Sequence, residues 1–489
     1  MKKRPNIILF MADQMRYDCL GCYGNTEIHT PNIDSLALNG STFDNHFVQN
    51  PVCSPSRCSV LTGRYPKNHG TRDNGIPLRD QEICFPEALR EHGYRTAAIG
   101  KMHFTTQFMP KENEEDDWPD DNYGFDVIHT TCDCKTGEYL TWLKNKSQKD
   151  YEIVRLQGEW KAKEDRASAS EKDTSGPPQV YPSTINPKYH QSTWIADRMI
   201  DLIQESDGEQ PFFALCSFVD PHHPFDPPAP YSTMYDPDKL SAPSRCVGEL
   251  DDKPPHFRRH RTGHGCSNEK YDYRKLTDRQ WAEVKSAYYG MITLIDDNIG
   301  RILQALREKG ITDDTLILFT NDHGELMGDH GLLFKGPFHY DCLIKAPMIM
   351  SWPGMIPKGS RYAQITEHVD IMPTILDFAG VPTHYGVQGM SMAPILRGDQ
   401  GAGRDSALTE FTCYDWGLNV KTITTREYKL TYYAGEQFGE LYDRVKDPEE
   451  FYNHWEDAAY GAVKEKLLHK LLDRLIQTED TLPLRIGKY

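Results

Sequence analysis

Four short apolar runs, at residues 7–11, 96–99, 212–219 and 315–320, each stop abruptly at a polar turn that carries a side chain capable of chemistry. The first leads to Asp13, the second to Gly100-Lys101, the third to Asp220-Pro221-His222 and the fourth to Asn321-Asp322-His323. Runs that are apolar throughout, rather than alternating, mark strands covered on both faces. Helix-type patterns fill the intervals, at residues 85–92 and 279–309 among others, so strands alternate with helices. The pattern predicts an α/β fold whose sheet has helices on both sides. Ligands of such sheets sit beyond the carboxyl ends of the strands, which makes the four turns one candidate site.

At 489 residues the chain exceeds what one hydrophobic core usually spans, and two units are expected. Residues 1–398 read as a catalytic domain with polar insertions near 109–186 and 224–268, either pocket walls or solvated loops. After Arg397-Gly398 come short aromatic runs at 421–423, 428–433 and 440–442, then Leu467, Leu468, Leu471, Leu472 and Leu475 at helical spacing. Residues 399–489 are therefore expected to form a smaller C-terminal α+β subdomain, an antiparallel sheet plus a helix. The net charge of −17 argues against a nucleic-acid partner. It also requires any anion site to carry its own local positive charge. The opening MKKRPNIILFMADQ reaches Asp13 where an export signal would still be apolar, and no stretch approaches the ~20 apolar residues of a membrane span. The 12 cysteines are scattered, so reduced thiols in a cytoplasmic protein are expected, with Cys132 and Cys134 structural.

The most specific string is Cys53-Ser54-Pro55-Ser56-Arg57, continuing to Leu61-Thr62-Gly63-Arg64. It resembles the signature of the formylglycine-dependent sulfatases, C-x-P-S-R followed three residues later by L-T-G, at every fixed position. The resemblance implies an alkaline-phosphatase-like mixed sheet flanked by helices. It also implies that a maturation enzyme oxidises Cys53 to an aldehyde, formylglycine. A thiol attacking sulfur would leave a thiosulfate ester with no easy route to turnover. In a hydrated aldehyde one hydroxyl attacks while the other later collapses to the carbonyl and expels sulfate. Arg57 would pair with the developing negative charge.

Asp13-Gln14 together with Asp322-His323 resembles the family's metal site, completed by the oxygen at position 53. These residues would hold one divalent metal that acidifies the diol and polarises a sulfate oxygen. The family usually has two consecutive aspartates where Asp13-Gln14 stands. Calcium leads among the candidate ions, and Gln14 and His323 open manganese or zinc. Gly100-Lys101-Met102-His103 resembles the family's G-K-x-H, Pro221-His222-His223-Pro224 its P-H-x-P, and Lys335-Gly336 the lysine after D-H-G. Lys101 and Lys335 would neutralise sulfate oxygens. His103 would hold a diol hydroxyl and act as base, and His222 would protonate the departing alcohol, with His223 as the alternative donor. Asn74 lies close downstream of the nucleophile, as a site contact or as a turn-forming Asn before Gly. Scaffold-type matches at residues 30–37, 369–374 and 440–448 extend the resemblance from about Pro5 to Asn453.

The function expected is hydrolysis of sulfate esters, small carbohydrate sulfates foremost, as suits a cytoplasmic enzyme. The partners expected are a small-molecule sulfate ester and the maturation enzyme, with no nucleic acid and no membrane, and a homo-oligomer is left open. Two alternatives stand beside it. A phosphonate monoester or phosphodiester hydrolase of the same superfamily suits Asp13-Gln14, but those relatives carry neutral Tyr- and Thr-type residues where Lys101 and His103 stand. A catalytically silent sulfate-binding protein would keep Cys53 as a thiol.

Overall fold

A computed structural model describes residues 4–105, 122–166, 176–181, 183–264, 271–399 and 401–482. Its centre is a nine-stranded sheet of β1 (Asn6–Ala12), β2 (Ser41–Phe47), β3 (Arg95–Gly100), β4 (Val127–Thr130), β5 (Phe212–Phe218), β6 (Thr315–Asn321), β7 (Lys345–Ala346), β8 (Ile349–Ser351) and β9 (Ser360–Glu367). The strand order is β4-β3-β5-β1-β6-β8-β2-β7, with β9 paired to β2. The half from β4 to β6 is parallel. β8 runs antiparallel to β6, and both β7 and β8 run antiparallel to β2, which makes the sheet mixed.

Every residue of β1 is buried, and its side chains divide between two cores. Ile8, Phe10 and Ala12 pack on one face with Trp194, Met199, Ile292 and Ile299, from the helices Gln191–Glu205 and Asp278–Lys309. Ile7, Leu9 and Met11 pack on the other with Val60, Leu89 and Ile375, from the helices Cys53–Thr62, Phe85–Glu91 and Ile371–Ala379. Two-sided cover of this kind is what an unbroken apolar strand demands.

Register then decides what emerges at the sheet edge. Ala12 pairs with both Phe218 and Asn321, and Gly100 pairs with Ser217, so Asp13, Lys101, Asp322 and the turn after β5 leave the sheet at one level. The Lys101 amide donates to the Ser217 carbonyl at 2.9 Å. That approach requires glycine at position 100, where φ is +99° and a Cβ would lie 1.9 Å from Ser217 O.

A second sheet, antiparallel, runs β10 (Ala407–Cys413), β11 (Leu418–Thr424), β12 (Tyr428–Tyr433), β13 (Gly439–Asp443). The helix Gly461–Gln477 lays Leu467 and Leu471 on its Leu408, Ile423, Leu430 and Leu441. β10 was not among the aromatic runs that marked this sheet in the sequence. It joins the two sheets, its Glu410 amide donating to Gln49 O at 2.7 Å just beyond β2.

Of the stretch 109–186 read as an insertion, residues 109–121, 167–175 and 182 lie outside the described residues, as do 265–268 of the second one. The described part is more than loop, because β4 extends the main sheet beside β3 and the helices Glu138–Lys146 and Gln148–Arg166 follow it. Among the described residues no helix is long and apolar enough to cross a membrane.

Candidate active site

Cys53 opens the helix Cys53–Thr62, all of whose residues are buried. The helix N-terminus places its positive dipole end at Cys53. The Ser54 amide is satisfied by the Asn74 side-chain oxygen at 3.0 Å, so Asn74 reaches the site by holding the backbone next to Cys53. Around Cys53 Sγ stand Lys335 Nζ at 3.0 Å, His323 Nε2 at 3.2 Å and Asp13 Oδ1 at 3.6 Å. Burial and the Asp13 charge push the thiol up, but Lys335 and Lys101 outweigh them, and its pKa falls to about 6.

Arg57, one helical turn on, is only 1% exposed. Its Nε donates to Asp322 Oδ2 at 2.8 Å and its Nη2 to Asp13 Oδ2 at 3.2 Å. Its Nη1 donates to Lys101 O and to Ser217 Oγ, both at 2.8 Å. The guanidinium is thus committed to protein acceptors on four strand ends or turns, rather than open toward an incoming anion. Lys101 Nζ lies 2.6 Å from Asp13 Oδ2. Burial works against the Asp13 carboxylate, yet Lys101, with Arg57 and Lys335, holds its pKa well below the usual range. Burial and Asp13 likewise work against ionised Asp322, and Arg57 and His323 overcome them.

Gln14 adopts a left-handed backbone, φ 63°, rare for a residue with a side chain. The strain turns its amide into the site, where Oε1 accepts from Lys335 Nζ at 2.7 Å and Nε2 donates to Glu325. Glu325 is fully buried and also accepts from the amides of Met327, at 3.0 Å, and Phe334. In the sequence it stands three residues after Asp322, where no motif assigns it a role. An acceptor on one side and an ammonium on the other fix which way the Gln14 amide faces.

On the opposite side His222 stacks on His223, ring centres 4.1 Å apart. Its Nδ1 donates to His223 O at 2.6 Å, which leaves Nε2 facing Asp133 at 3.9 Å. Burial, then the charges of His223, Lys335 and Lys101, hold the His222 imidazole well below its ordinary pKa, against the pull of Asp13. Asp133 sits between the two cysteines read as structural, so no motif drew notice to it. His103 takes a left-handed conformation, φ 60°, and its buried Nδ1 has no hydrogen-bond partner among the described residues. It makes no hydrogen bond to Cys53.

Of the five residues expected at the metal, Asp13, Cys53, Asp322 and His323 each offer a ligand atom, all within 4.8 Å of one another. Two hard carboxylates and one imidazole at that spacing suit a single divalent ion. Gln14 Oε1 lies beside them, held through Lys335.

Residues 5–381 match the family Sulfatase, and residues 328–477 match N-sulphoglucosamine sulphohydrolase, C-terminal. An arylsulfatase of Clostridium perfringens is 31% identical over 463 residues, which is 92% of this chain and 90% of that one. A multifunctional alkaline phosphatase superfamily protein of Trinickia caryophylli is 30% identical over 98% of this chain and 97% of its own. Among solved structures, the phosphonate monoester hydrolase of Agrobacterium radiobacter superposes with a TM-score of 0.79 at 28% identity, over 99% of this chain and 98% of that chain.

Proposed function

The chain belongs to the sulfatase family and is a sulfuric ester hydrolase of alkaline-phosphatase-like fold, and from that premise we propose that it cleaves small carbohydrate sulfates with a formylglycine made from Cys53. The observation that carries this reading is the setting of Cys53 Sγ, at a helix N-terminus with Lys335 Nζ at 3.0 Å, His323 Nε2 at 3.2 Å and Asp13 Oδ1 at 3.6 Å. Oxidised to formylglycine, position 53 would supply a geminal diol as nucleophile. Asp13, Gln14, Asp322 and His323 would hold one divalent metal, calcium before manganese or zinc, which would polarise a sulfate oxygen and acidify the nucleophile.

The other residues divide the remaining work. Lys335, 3.0 Å from Cys53 Sγ, and Lys101, paired with Asp13, neutralise the sulfate oxygens as point charges. Arg57 acts one step back, keeping Asp13 and Asp322 ionised and in place. His222 is the acid for the departing alcohol: its Nδ1 is tied to His223 O, so Nε2 is the nitrogen available. Burial and the neighbouring cations lower its proton affinity in the free site, and the negative charge of a bound ester raises it, so Nε2 takes up a proton from solvent on binding and passes it to the departing oxygen. His103 stays as the base for diol collapse, its Nδ1 unpartnered on the loop that carries Lys101.

Mass spectrometry of the peptide containing residue 53, from a host with a maturation enzyme, is the direct test. Conversion of the CH2SH side chain to CHO, with turnover of a sugar sulfate, upholds the proposal. An unmodified thiol in fully active enzyme overturns it. Phosphonate monoester hydrolysis is the second reading, favoured by Gln14 in place of a second aspartate and by the likeness to a phosphonate hydrolase. Phenyl phosphonate esters belong in the same assay, and a higher kcat/KM on them than on any sulfate would reverse the order.

A further inference from the structure

Asp133 has no part in the scheme above, yet its carboxylate faces both Lys101 and His222. Its Oδ1 lies 3.6 Å from Lys101 Nζ and its Oδ2 lies 3.9 Å from His222 Nε2. Lys101 is 0% and His222 5% exposed at the side chain, whereas Asp133 is 25% exposed. The carboxylate is therefore the solvent-reached member of this trio. Given the proposed acid role of His222, on which this inference rests, the departing oxygen sits at Nε2. The first atoms of the alcohol then lie against Asp133.

The loop is anchored on both sides of that residue. Gln191 Nε2 donates to Thr131 Oγ1 at 2.5 Å and to Cys132 O at 2.8 Å. Two residues after Asp133, buried Lys135 pairs with buried Asp226, four residues past His222. The backbone that carries Asp133 is thus held in register with the His222 turn.

We infer that Asp133 determines the charge of the alcohol half this enzyme accepts: neutral polyols and cations, and not carboxylated or multiply sulfated alcohols. An ionised carboxylate only accepts hydrogen bonds, which sugar hydroxyls and ammonium groups supply. A second anion on the substrate meets like charge at close range in a partly desolvated mouth, a repulsive element that adds selectivity without touching the reacting sulfur.

The test compares three aryl sulfates that differ in the para substituent: neutral acetyl, anionic carboxylate and cationic trimethylammonium. The measurement is kcat/KM for wild type, Asp133→Asn and Asp133→Ser. Intrinsic differences in leaving ability cancel when the anionic-to-cationic ratio of a variant is divided by that of wild type. Removing one charge from the mouth should raise this ratio at least about tenfold. Raising the ionic strength from about 0.02 to about 0.5 M should move the wild-type ratio in the same direction, a measurement that needs no variant to fold. A ratio unmoved by either substitution in folded variants overturns the inference, whatever the response to salt. Failure of wild type to turn over even the neutral ester would instead overturn the proposed function, and this inference with it.

Discussion

Replacing Arg57 by alanine separates two accounts of that residue, one in which it stabilises charge on the substrate and one in which it holds the site together. The structure favours the second. Removing the guanidinium leaves Asp322, 0% exposed, without the cation that contacts its Oδ2 at 2.8 Å. Asp13 keeps Lys101 at 2.6 Å. Breaking a buried ion pair from one side costs about 3–5 kcal/mol. At an unfolding entropy of roughly 2.1 cal/mol/K per residue over 489 residues, that loss lowers the melting midpoint by about 3–5 °C. Arg57→Lys should recover less than half of this, because one ammonium cannot reach acceptors on Asp13, Asp322, Lys101 and Ser217 together. Calorimetry of the metal-depleted and calcium-loaded proteins, run beside a sulfatase assay, measures both effects. If Arg57→Ala melts within about 1 °C of wild type while turnover collapses, the scaffold reasoning fails and the guanidinium acts on the substrate.

His222→Ala should slow alkyl or sugar sulfates by ~10²-fold or more and para-nitrophenyl sulfate much less, since only basic alkoxides need a proton. Lys101→Ala should slow both comparably, and equal losses with His222→Ala would pass the acid role to His223. Chelation should suppress activity reversibly, with calcium or manganese restoring it better than copper, and metal analysis finding no ion in fully active enzyme would refute the metal assignment. Asp220 offers a pH test. Burial, opposed by the Ser192 hydroxyl, pushes its carboxyl up to about 7. The folded state binds that proton more tightly than the unfolded one, so the contribution is full below about pH 4 and lost as pH rises through about 7. Asp220→Asn should therefore gain stability relative to wild type between about pH 5 and pH 8 in thermal melts, and a pH-independent difference would contradict the assignment.

How far the sequence alone carried this protein follows from what local patterns encode. Burial periodicity is a local property, so the runs at 7–11, 96–99, 212–219 and 315–320 were legible as covered strands, and they became β1, β3, β5 and β6 nearly residue for residue. Their polar ends announced Asp13, Lys101, His222 and Asp322-His323 for the same reason. The motif around Cys53 marked the nucleophile. β2, β4 and β7–β10 were not read from the sequence, because their strands lack an unbroken apolar run: β2 and β10 mix polar with apolar residues, β7 and β8 are two and three residues long, and β4 is only partly buried.

Side-chain roles were decided later, by contacts no periodicity records. Arg57 faces Asp13 and Asp322 only because the Ala12–Asn321 register brings two strand ends level beneath the helix Cys53–Thr62. Glu325 meets Gln14 across 311 positions, and Asp133 reaches His222 because the Lys135–Asp226 pair ties two loops together. A residue type states what a side chain can do, whereas desolvation and the charges packed around it settle what it does. Those are properties of the assembled interior, and for this site they come from at least six separate stretches of the chain.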